Sequence, residues 1–405
     1  MADPTRIVII GTGLAGATAA GELRAQGYSG QLVLLGQDTH RPYELPALSK
    51  GILLGEATDP DWVHDESFYA ERDIDLRLST VVSSVGDHEV VEAGGTRHPF
   101  DRLLLATGST PRRLEQLPGA GLAGLRTLRT LDDSRALRAE LTAGTRVVIV
   151  GGGWIGCEVA AAARSHGAEV TVIDPVSLPL RGVLGDTVAG VFRDLHTEHG
   201  VTWRLGTGVT GFTGESTVTG VSLDDGTTLP ADLVLLAVGA APRVELARAM
   251  GLDLAEGGVA VDAGLRTSAP DVYAVGDLAA HDHPRHPGRL RIEHWANAKD
   301  QGAHVARNLL GAHDPYTASP YFFSDQYDLG MEFRGLADPA TDELVVRGDL
   351  AAREFIAFWL RDGAVRAAMN VNLWDDGEAL GALVDNGVRV EPAKLVAGDL
   401  ASMMG

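Results

Sequence analysis

Short apolar runs alternate with helix-spaced stretches over the first two thirds of the chain. Residues 7–10 (IVII) and 147–150 (VVIV) are continuous apolar runs that end in glycine. That is the pattern of strands buried on both faces of a parallel sheet. Each run leads into a Gly-x-Gly-x-x-Gly turn, then a helical stretch at 17–27 (ATAAGELRAQG) or 157–167 (CEVAAAARSHG), then a second apolar strand at 32–35 or 170–173. Strand, glycine turn, helix and strand make one βαβ unit, so two are predicted. A further apolar run at 272–275 ends in Gly276 and Asp277. From about residue 319 the pattern changes: 343–349 (ELVVRGD), 354–363 (EFIAFWLRDG) and 365–372 (VRAAMNVN) alternate between turn residues and suggest antiparallel strands. Residues 281–291 (HDHPRHPGRLR) are polar and broken by Pro and Gly, which predicts an exposed loop.

The two βαβ patterns belong to an internal duplication. RIVIIGTGLAG (6–16) matches RVVIVGGGWIG (146–156), LRLSTVVSSV (76–85) matches WRLGTGVTGF (203–212), and LLATGSTPR (104–112) matches LLAVGAAPR (235–243), all in the same order. The expected fold class is α/β: two Rossmann-like dinucleotide-binding domains, one inserted in the other, plus a small C-terminal α+β domain. The boundaries read as 1–110 with 240–318, 111–239, and 319–405. A length of 405 residues fits two or three domains at roughly 150 residues each.

In each glycine turn the three glycines have separate tasks. Gly11 permits the tight turn out of the strand, Gly13 lets a pyrophosphate approach the backbone, and Gly16 lets the helix pack close to the strand. Gly151, Gly153 and Gly156 repeat the set. The helix that follows points free N–H groups and the positive end of its dipole at the phosphates. A polar acceptor about 20 residues on takes the ribose hydroxyls. In the second copy that is Asp174, with no arginine directly after it; its carboxylate favours the 2′-hydroxyl of NADH and repels the 2′-phosphate of NADPH. In the first copy either Gln37 or Asp38 serves. Asp277 reads as an acceptor for a cofactor hydroxyl, as a helix N-cap, or as both.

Charge and cysteine usage remove several classes. With 34 basic and 55 acidic residues the net charge is −21, unsuited to a general nucleic-acid binder or a membrane-surface protein. No apolar run is long enough for a transmembrane helix. The N-terminal MADPTRIVIIG runs almost directly into a strand and lacks the marks of a secretory signal, so a cytoplasmic setting is expected. Cys157 is the single cysteine, which excludes a disulfide framework, a zinc ribbon, a chain-held iron–sulfur cluster and a dithiol centre. The 13 histidines form no metal pattern, so no metal site is expected, His281, His283 and His286 included. Glycine, at 50 residues, suits many tight βα turns and close backbone–ligand approach.

GTGLAG (11–16), RPYELPALSKG (41–51), LATGSTPR (105–112), GGGWIGCE (151–158), LPLRGVLG (178–185), YAVGD (273–277), EHWANAKDQG (293–302) and PYFFSDQYD (320–328) together resemble one family over nearly the whole chain. The chain is similar to the FAD-dependent ferredoxin reductases of bacterial oxygenase systems (the putidaredoxin reductase and biphenyl dioxygenase ferredoxin reductase family), which have the glutathione-reductase-like fold. The resemblance implies noncovalent FAD at the first glycine turn and NADH at the second. On the FAD side it implies contacts from Gly11, Gly13, Leu14, Ala15, Gly16, Gln37 or Asp38, Arg41, Val82, Ala106, Thr107, Gly108, Arg129 and Asp277. On the NADH side it implies Gly151, Gly153, Ile155, Gly156, Asp174, Arg181 and Gly239. Lys50 and Glu158 would form an ion pair beside the flavin, with Trp295 and Phe323 packing near the ring. The sequence departs from the family at Ala47, where a second proline is common, at Gln37, where an acid is commoner, and at Phe323, where tryptophan is frequent.

The resemblance implies NADH-dependent delivery of electrons through FAD, one at a time, to a [2Fe–2S] ferredoxin that feeds a Rieske dioxygenase or a cytochrome P450. Disulfide reductases and peroxidases of this fold need cysteine beside the flavin, and RPYELPALSK has none. Two rival classes stay open: a rubredoxin or quinone reductase or NADH oxidase, and a non-enzymatic redox sensor of the apoptosis-inducing-factor type. Because ferredoxins are usually acidic, docking would need a local basic patch, for which Arg285, Arg289, Arg291 and Arg307 are candidates.

Overall fold

The computed structural model describes residues 4–286 and 288–403. The chain divides into two compact units. One comprises Met1–Glu44, Pro60–Thr110 and Ala240–Pro320; the other comprises Leu45–Asp59, Pro111–Gly239 and Tyr321–Gly405.

The first unit is built on a parallel sheet in the order Val272–Ala274, Arg102–Leu105, Arg6–Ile10, Gln31–Leu35, Ile74–Arg77. The central strand Arg6–Ile10 is buried from Ile7 onward, as its unbroken apolar run requires, while the edge strand Ile74–Arg77 is only partly covered. The helix Leu14–Ala25 packs on the helix Trp295–Leu309. They approach so closely that a Cβ on Gly302 would lie 2.4 Å from the Ala15 carbonyl oxygen. A three-stranded antiparallel sheet follows: Val82–Gly86, Glu89–Glu92, Arg97–Pro99.

The second unit repeats this plan. Its parallel sheet runs Thr202–Leu205, Glu169–Asp174, Arg146–Val150, Leu233–Leu236, Leu125–Arg126. Its antiparallel three-stranded sheet is Val209–Gly214, Val218–Leu223, Thr228–Pro230. Four strands thus occupy the same order in both copies. The fifth place differs: a downstream strand, Val272–Ala274, fills it in one unit and an upstream strand, Leu125–Arg126, in the other. The matched sequence blocks at 76–85 and 203–212 each run from the edge strand into the antiparallel sheet.

The C-terminal region forms a five-stranded antiparallel sheet in the order Tyr321–Gln326, Leu329–Gly335, Ala364–Val371, Glu354–Arg361, Glu343–Asp349. The helices Gly377–Asp385 and Pro392–Ala397 follow it. Strand periodicity sends alternate side chains to opposite faces. Phe355, Ala357 and Trp359 join the core made with Leu184, Val188, Phe192 and Leu195 of the helix Arg181–Glu198, whereas Ile356, Phe358 and Leu360 pack with Leu380, Leu383 and Leu395. Each large side chain so buried contributes about 1.5–3 kcal/mol. The first of these faces ties the C-terminal sheet to the rest of the second unit.

Two segments differ from expectation. Residues 45–59, expected with the first sheet, belong to the second unit. Leu53 is buried with Leu137, Ile149 and Val159, the Ser134 hydroxyl donates to the Leu48 carbonyl at 2.6 Å, and His166 bonds the Leu53 carbonyl at 2.8 Å. Residues 281–291 are not an exposed loop. The strands Ala279–Asp282 and Arg289–Arg291 pair antiparallel, and His281 and His283 are buried. Pro287 lies outside the described residues. Ring packing of His281 on Tyr316 and His283 supplies the apolar contacts that the polar sequence hides.

Candidate functional site

The two glycine turns are close physical copies. Gly11 (φ +123°) and Gly151 (φ +108°) hold a backbone conformation that L side chains rarely adopt. A Cβ there would sit 2.0 Å from the Ala106 oxygen and 2.3 Å from the Ala237 oxygen, respectively. A Cβ on Gly16 or Gly156 would lie 2.0 Å from the oxygen of Gly11 or Gly151, so each helix starts tight on its own strand. At Gly13 and Gly153 a Cβ would meet nothing within 4 Å. Both are helix N-caps that supply no side-chain hydrogen bond. An open face beside first-turn N–H groups fits the pyrophosphate of a dinucleotide. Leu14 and Ala15 are buried beneath the first turn, whereas Ile155 in the second is 42% exposed.

Around the first turn, Asp38 accepts from the His40 N–H at 3.0 Å and the Tyr43 hydroxyl at 3.1 Å, while Gln37 is exposed. Asp277 is buried and accepts from the Ser109 hydroxyl at 2.6 Å. It sits inside the 3₁₀ turn Gly276–Leu278, whose N-cap is Val275, so the N-cap reading of Asp277 is corrected. The Gly276 N–H donates to the buried Gln301 side chain at 2.8 Å. Burial holds the His294 pKa down, to about 4, against the opposing pull of the Asp277 carboxylate. The Arg41 guanidinium donates to the His64 carbonyl at 2.8 Å and lies 4.2 Å from the Trp62 ring centroid. Trp295 donates its indole N–H to Glu44 at 3.0 Å, with Lys299 over its ring at 4.8 Å. Val82 packs partly into the core, and its neighbour Val81 is exposed. Ala106 is buried, and the Thr107 hydroxyl donates to the Arg243 carbonyl at 2.9 Å. Gly108 and Gly239 have positive φ and precede the short paired strands Ser109–Pro111 and Ala240–Pro242.

In the second unit Asp174 ends its strand and accepts from the backbone N–H of Gly152 at 2.7 Å and of Val176 at 2.9 Å. These bonds fix the carboxylate at the glycine turn. Arg181 opens its helix and pairs with Asp186, both exposed. Arg129 precedes the helix Leu131–Glu140, its backbone N–H donating at 3.0 Å to Asp133 of the capping box. Cys157 is fully buried, and burial, with Glu158 and Asp174 nearby, pushes its thiol pKa well up, so it is an inert packing residue.

A polar cluster is centred on Glu158, 5% exposed on the helix Trp154–Ser165. Lys50 donates to its Oε1 at 2.7 Å, Ser324 to Oε1 at 2.6 Å and Ser49 to Oε2 at 2.5 Å. Lys50 also lies 5.2 Å from the centroid of the Phe323 ring. Lys50, Glu158 and Phe323, which the sequence assigned to one place, are therefore together. Sequence reading missed Ser49 and Ser324; their only signal was adjacency to Lys50 and Phe323. Of the basic docking candidates, Arg289 donates to the carbonyls of Val261 and Ala280, and Arg291 to those of Glu256 and Asp277 and to Glu293. Those two hold the fold together and are not a free docking patch; Arg285 is exposed, and Arg307 contacts His304. Among the described residues there is no cluster suited to a metal ion, and no helix is long and apolar enough to cross a membrane.

Residues 5–302 match the family model for pyridine nucleotide-disulphide oxidoreductases, and residues 321–403 match that for the reductase C-terminal domain. The chain is 40% identical over 374 residues to putidaredoxin reductase CamA of Pseudomonas putida, covering 90% of this chain and 88% of that protein. It is 40% identical over 402 residues to the anthranilate 1,2-dioxygenase system ferredoxin–NAD(+) reductase component of Burkholderia cepacia, covering 97% of each. The solved covalent putidaredoxin reductase–putidaredoxin complex superposes with a TM-score of 0.93 at 38% identity, covering 99% of this chain and 97% of that one.

Proposed function

The chain belongs to the pyridine nucleotide-disulphide oxidoreductase family, with a reductase C-terminal domain, and we propose that it is an NADH-dependent ferredoxin reductase. It passes electrons from NADH through FAD, one at a time, to a small [2Fe–2S] ferredoxin that serves an oxygenase, either a Rieske dioxygenase or a cytochrome P450. The observation that carries this reading is the pair of open glycine turns in a chain whose one thiol is buried and inert. Two dinucleotides have a cradle, and no cysteine stands ready to relay electrons. Bound FAD supplies the conversion from a two-electron donor to one-electron delivery.

The chain's own residues do the rest. The FAD-binding part is 1–110 with 240–318, without the 45–59 segment. There the Gly11–Gly16 turn takes the pyrophosphate, Gln37 or Asp38 the ribose edge, and Asp277, steadied by Ser109, a hydroxyl of the flavin chain. The NADH-binding part is 111–239, where the Gly151–Gly156 turn takes the pyrophosphate, Ile155 covers it, and Asp174 accepts from the ribose hydroxyls. Asp174 is already fixed by two backbone N–H groups, so it meets the 2′-hydroxyl pre-organised and meets a 2′-phosphate with like charge. Lys50 and Glu158 hold the nicotinamide edge, with Phe323 as the apolar wall. A single buried thiol suits a reducing cytoplasm.

A panel of purified oxygenase-type ferredoxins, assayed with NADH and cytochrome c, tests the proposal. Stimulation by at least one ferredoxin far above the rate with oxygen or a quinone alone is expected. Rapid turnover on oxygen or quinone with no ferredoxin response would replace it by the oxidase or quinone-reductase reading.

A further inference from the structure

The buried carboxylate of Glu158 is the near end of a longer polar chain. Ser324, which donates to Glu158 at 2.6 Å, itself receives a hydrogen bond from the Gln326 side-chain amide at 3.0 Å. The other end of that amide, Oε1, lies 2.8 Å from Nε2 of His196, and the Tyr327 hydroxyl lies 3.4 Å from Nδ1 of the same ring. Ser324 and Gln326 are each 1% exposed and His196 is 0% exposed. Burying this many polar groups is tolerable only if each is satisfied, and then the direction of every bond is determined.

The directions follow from one another. The Gln326 oxygen can only accept, so Nε2 of His196 carries the ring proton and Nδ1 accepts from Tyr327. Gln326 then turns its NH₂ to Ser324, whose oxygen is thereby occupied as acceptor. The one proton on Ser324 is left to point at Glu158. A neutral His196 is what this arrangement needs, and burial holds its pKa down, to about 4.

We propose that His196, Gln326 and Ser324 form a directed hydrogen-bond chain that positions Glu158 as the acceptor for Lys50. Ser49 closes the other carboxylate oxygen at 2.5 Å. The chain makes His196, in the last turn of the helix Arg181–Glu198, a positioning residue for the nicotinamide side. This inference rests on the proposed role of Lys50 and Glu158 in taking NADH. The charged and titratable groups facing Glu158 are Lys50 from the 45–59 segment, Asp325 from the strand Tyr321–Gln326 and Cys157 from its own helix. Those facing His196 are His199 and Tyr327, with Arg164 beside Tyr327.

The test is the position of the Glu158 side-chain band in the infrared spectrum of the FAD-loaded chain, identified by its loss in Glu158→Gln. Ser324→Ala removes one of the donors to that group and should shift the band, while the rate of flavin reduction by NADH falls about tenfold. Ser324→Thr, which restores the hydroxyl, should return both. Gln326→Met, which frees Ser324 to rotate, should give a smaller shift in the same direction. An unchanged Glu158 band in Ser324→Ala, or a shift that threonine does not reverse, overturns the proposal. If Lys50→Met and Glu158→Gln both reduce at the unmodified rate, the reading beneath it fails, whatever the spectrum shows.

Discussion

A methyl group placed on the middle glycine of each turn separates the two cofactor sites. In Gly13→Ala the new Cβ meets nothing within 4 Å, and the residue has φ −70° and ψ 180°, which alanine adopts without strain. Reduced freedom of the unfolded chain stabilises by about 0.4–1 kcal/mol. Alanine is a poorer N-cap than glycine by a similar amount, so the two effects nearly cancel. Folding of the cofactor-free chain should change by less than about 1 kcal/mol. In the proposed site, however, the methyl takes space that the pyrophosphate needs, and overpacking of that kind costs about 1–3 kcal/mol. FAD affinity should therefore fall about 5- to 150-fold, while NAD⁺ still binds the second unit. Gly153→Ala (φ −80°, ψ −173°) should do the reverse: full FAD content, with KM for NADH raised by a similar factor. Gly16→Ala is the contrast, because its Cβ would stand 2.0 Å from a backbone oxygen and the fold itself must shift. Chemical denaturation of the cofactor-free chains, FAD titration by fluorescence and NADH kinetics read all three. If Gly13→Ala binds FAD as tightly as the unmodified chain, or loses folding stability as Gly16→Ala does, the pyrophosphate does not lie there.

Asp174→Asn should narrow the preference for NADH over NADPH about 5- to 150-fold, measured as the ratio of kcat/KM values; equal use of both cofactors by the unmodified enzyme would refute the role of the carboxylate. Lys50→Met should slow stopped-flow flavin reduction by about tenfold or more with FAD content unchanged, a tenfold loss being about 1.4 kcal/mol of barrier. Acid should weaken the fold over a defined window. His196, His281 and His294 are held by burial at about 4, below the ordinary value of 6.5, so the unfolded chain binds more protons between those limits. Their stabilising contribution is complete above pH 6.5 and is lost as pH falls toward about 4, and the denaturation midpoint of the cofactor-free chain should decline across that range. A midpoint flat from pH 6.5 to 4 would show that these rings are not buried neutral.

What could be read from sequence was what the backbone demands locally. Gly11, Gly13 and Gly16 differ in what a Cβ would meet, and the spacing alone carries that difference. Continuous apolar runs gave the central parallel strands for the same reason. What could not be read depended on partners far along the chain. Residues 45–59 follow Leu53 into a core made by residues between Leu137 and Leu235, and no local pattern announces that. His281 and His283 sit in a Pro- and Gly-broken polar stretch that looks solvated until ring packing is seen. The same holds for the polar cluster. Lys50, Glu158 and Phe323 could be grouped only through family resemblance, while Ser49, Ser324, Gln326 and His196 are joined to it by bonds spanning more than 100 residues, apart from the local Gln326–Ser324 bond.

In the proposed function one chain splits a two-electron donor between one-electron acceptors. It is tested most directly by mixing the FAD-loaded protein anaerobically with a limiting amount of NADH and an excess of oxidised [2Fe–2S] ferredoxin, and counting reduced ferredoxin by absorbance. Two ferredoxins reduced for each NADH consumed is the predicted result. Ferredoxin left oxidised, with NADH consumed beyond the flavin content only after oxygen or a quinone is admitted, would contradict it.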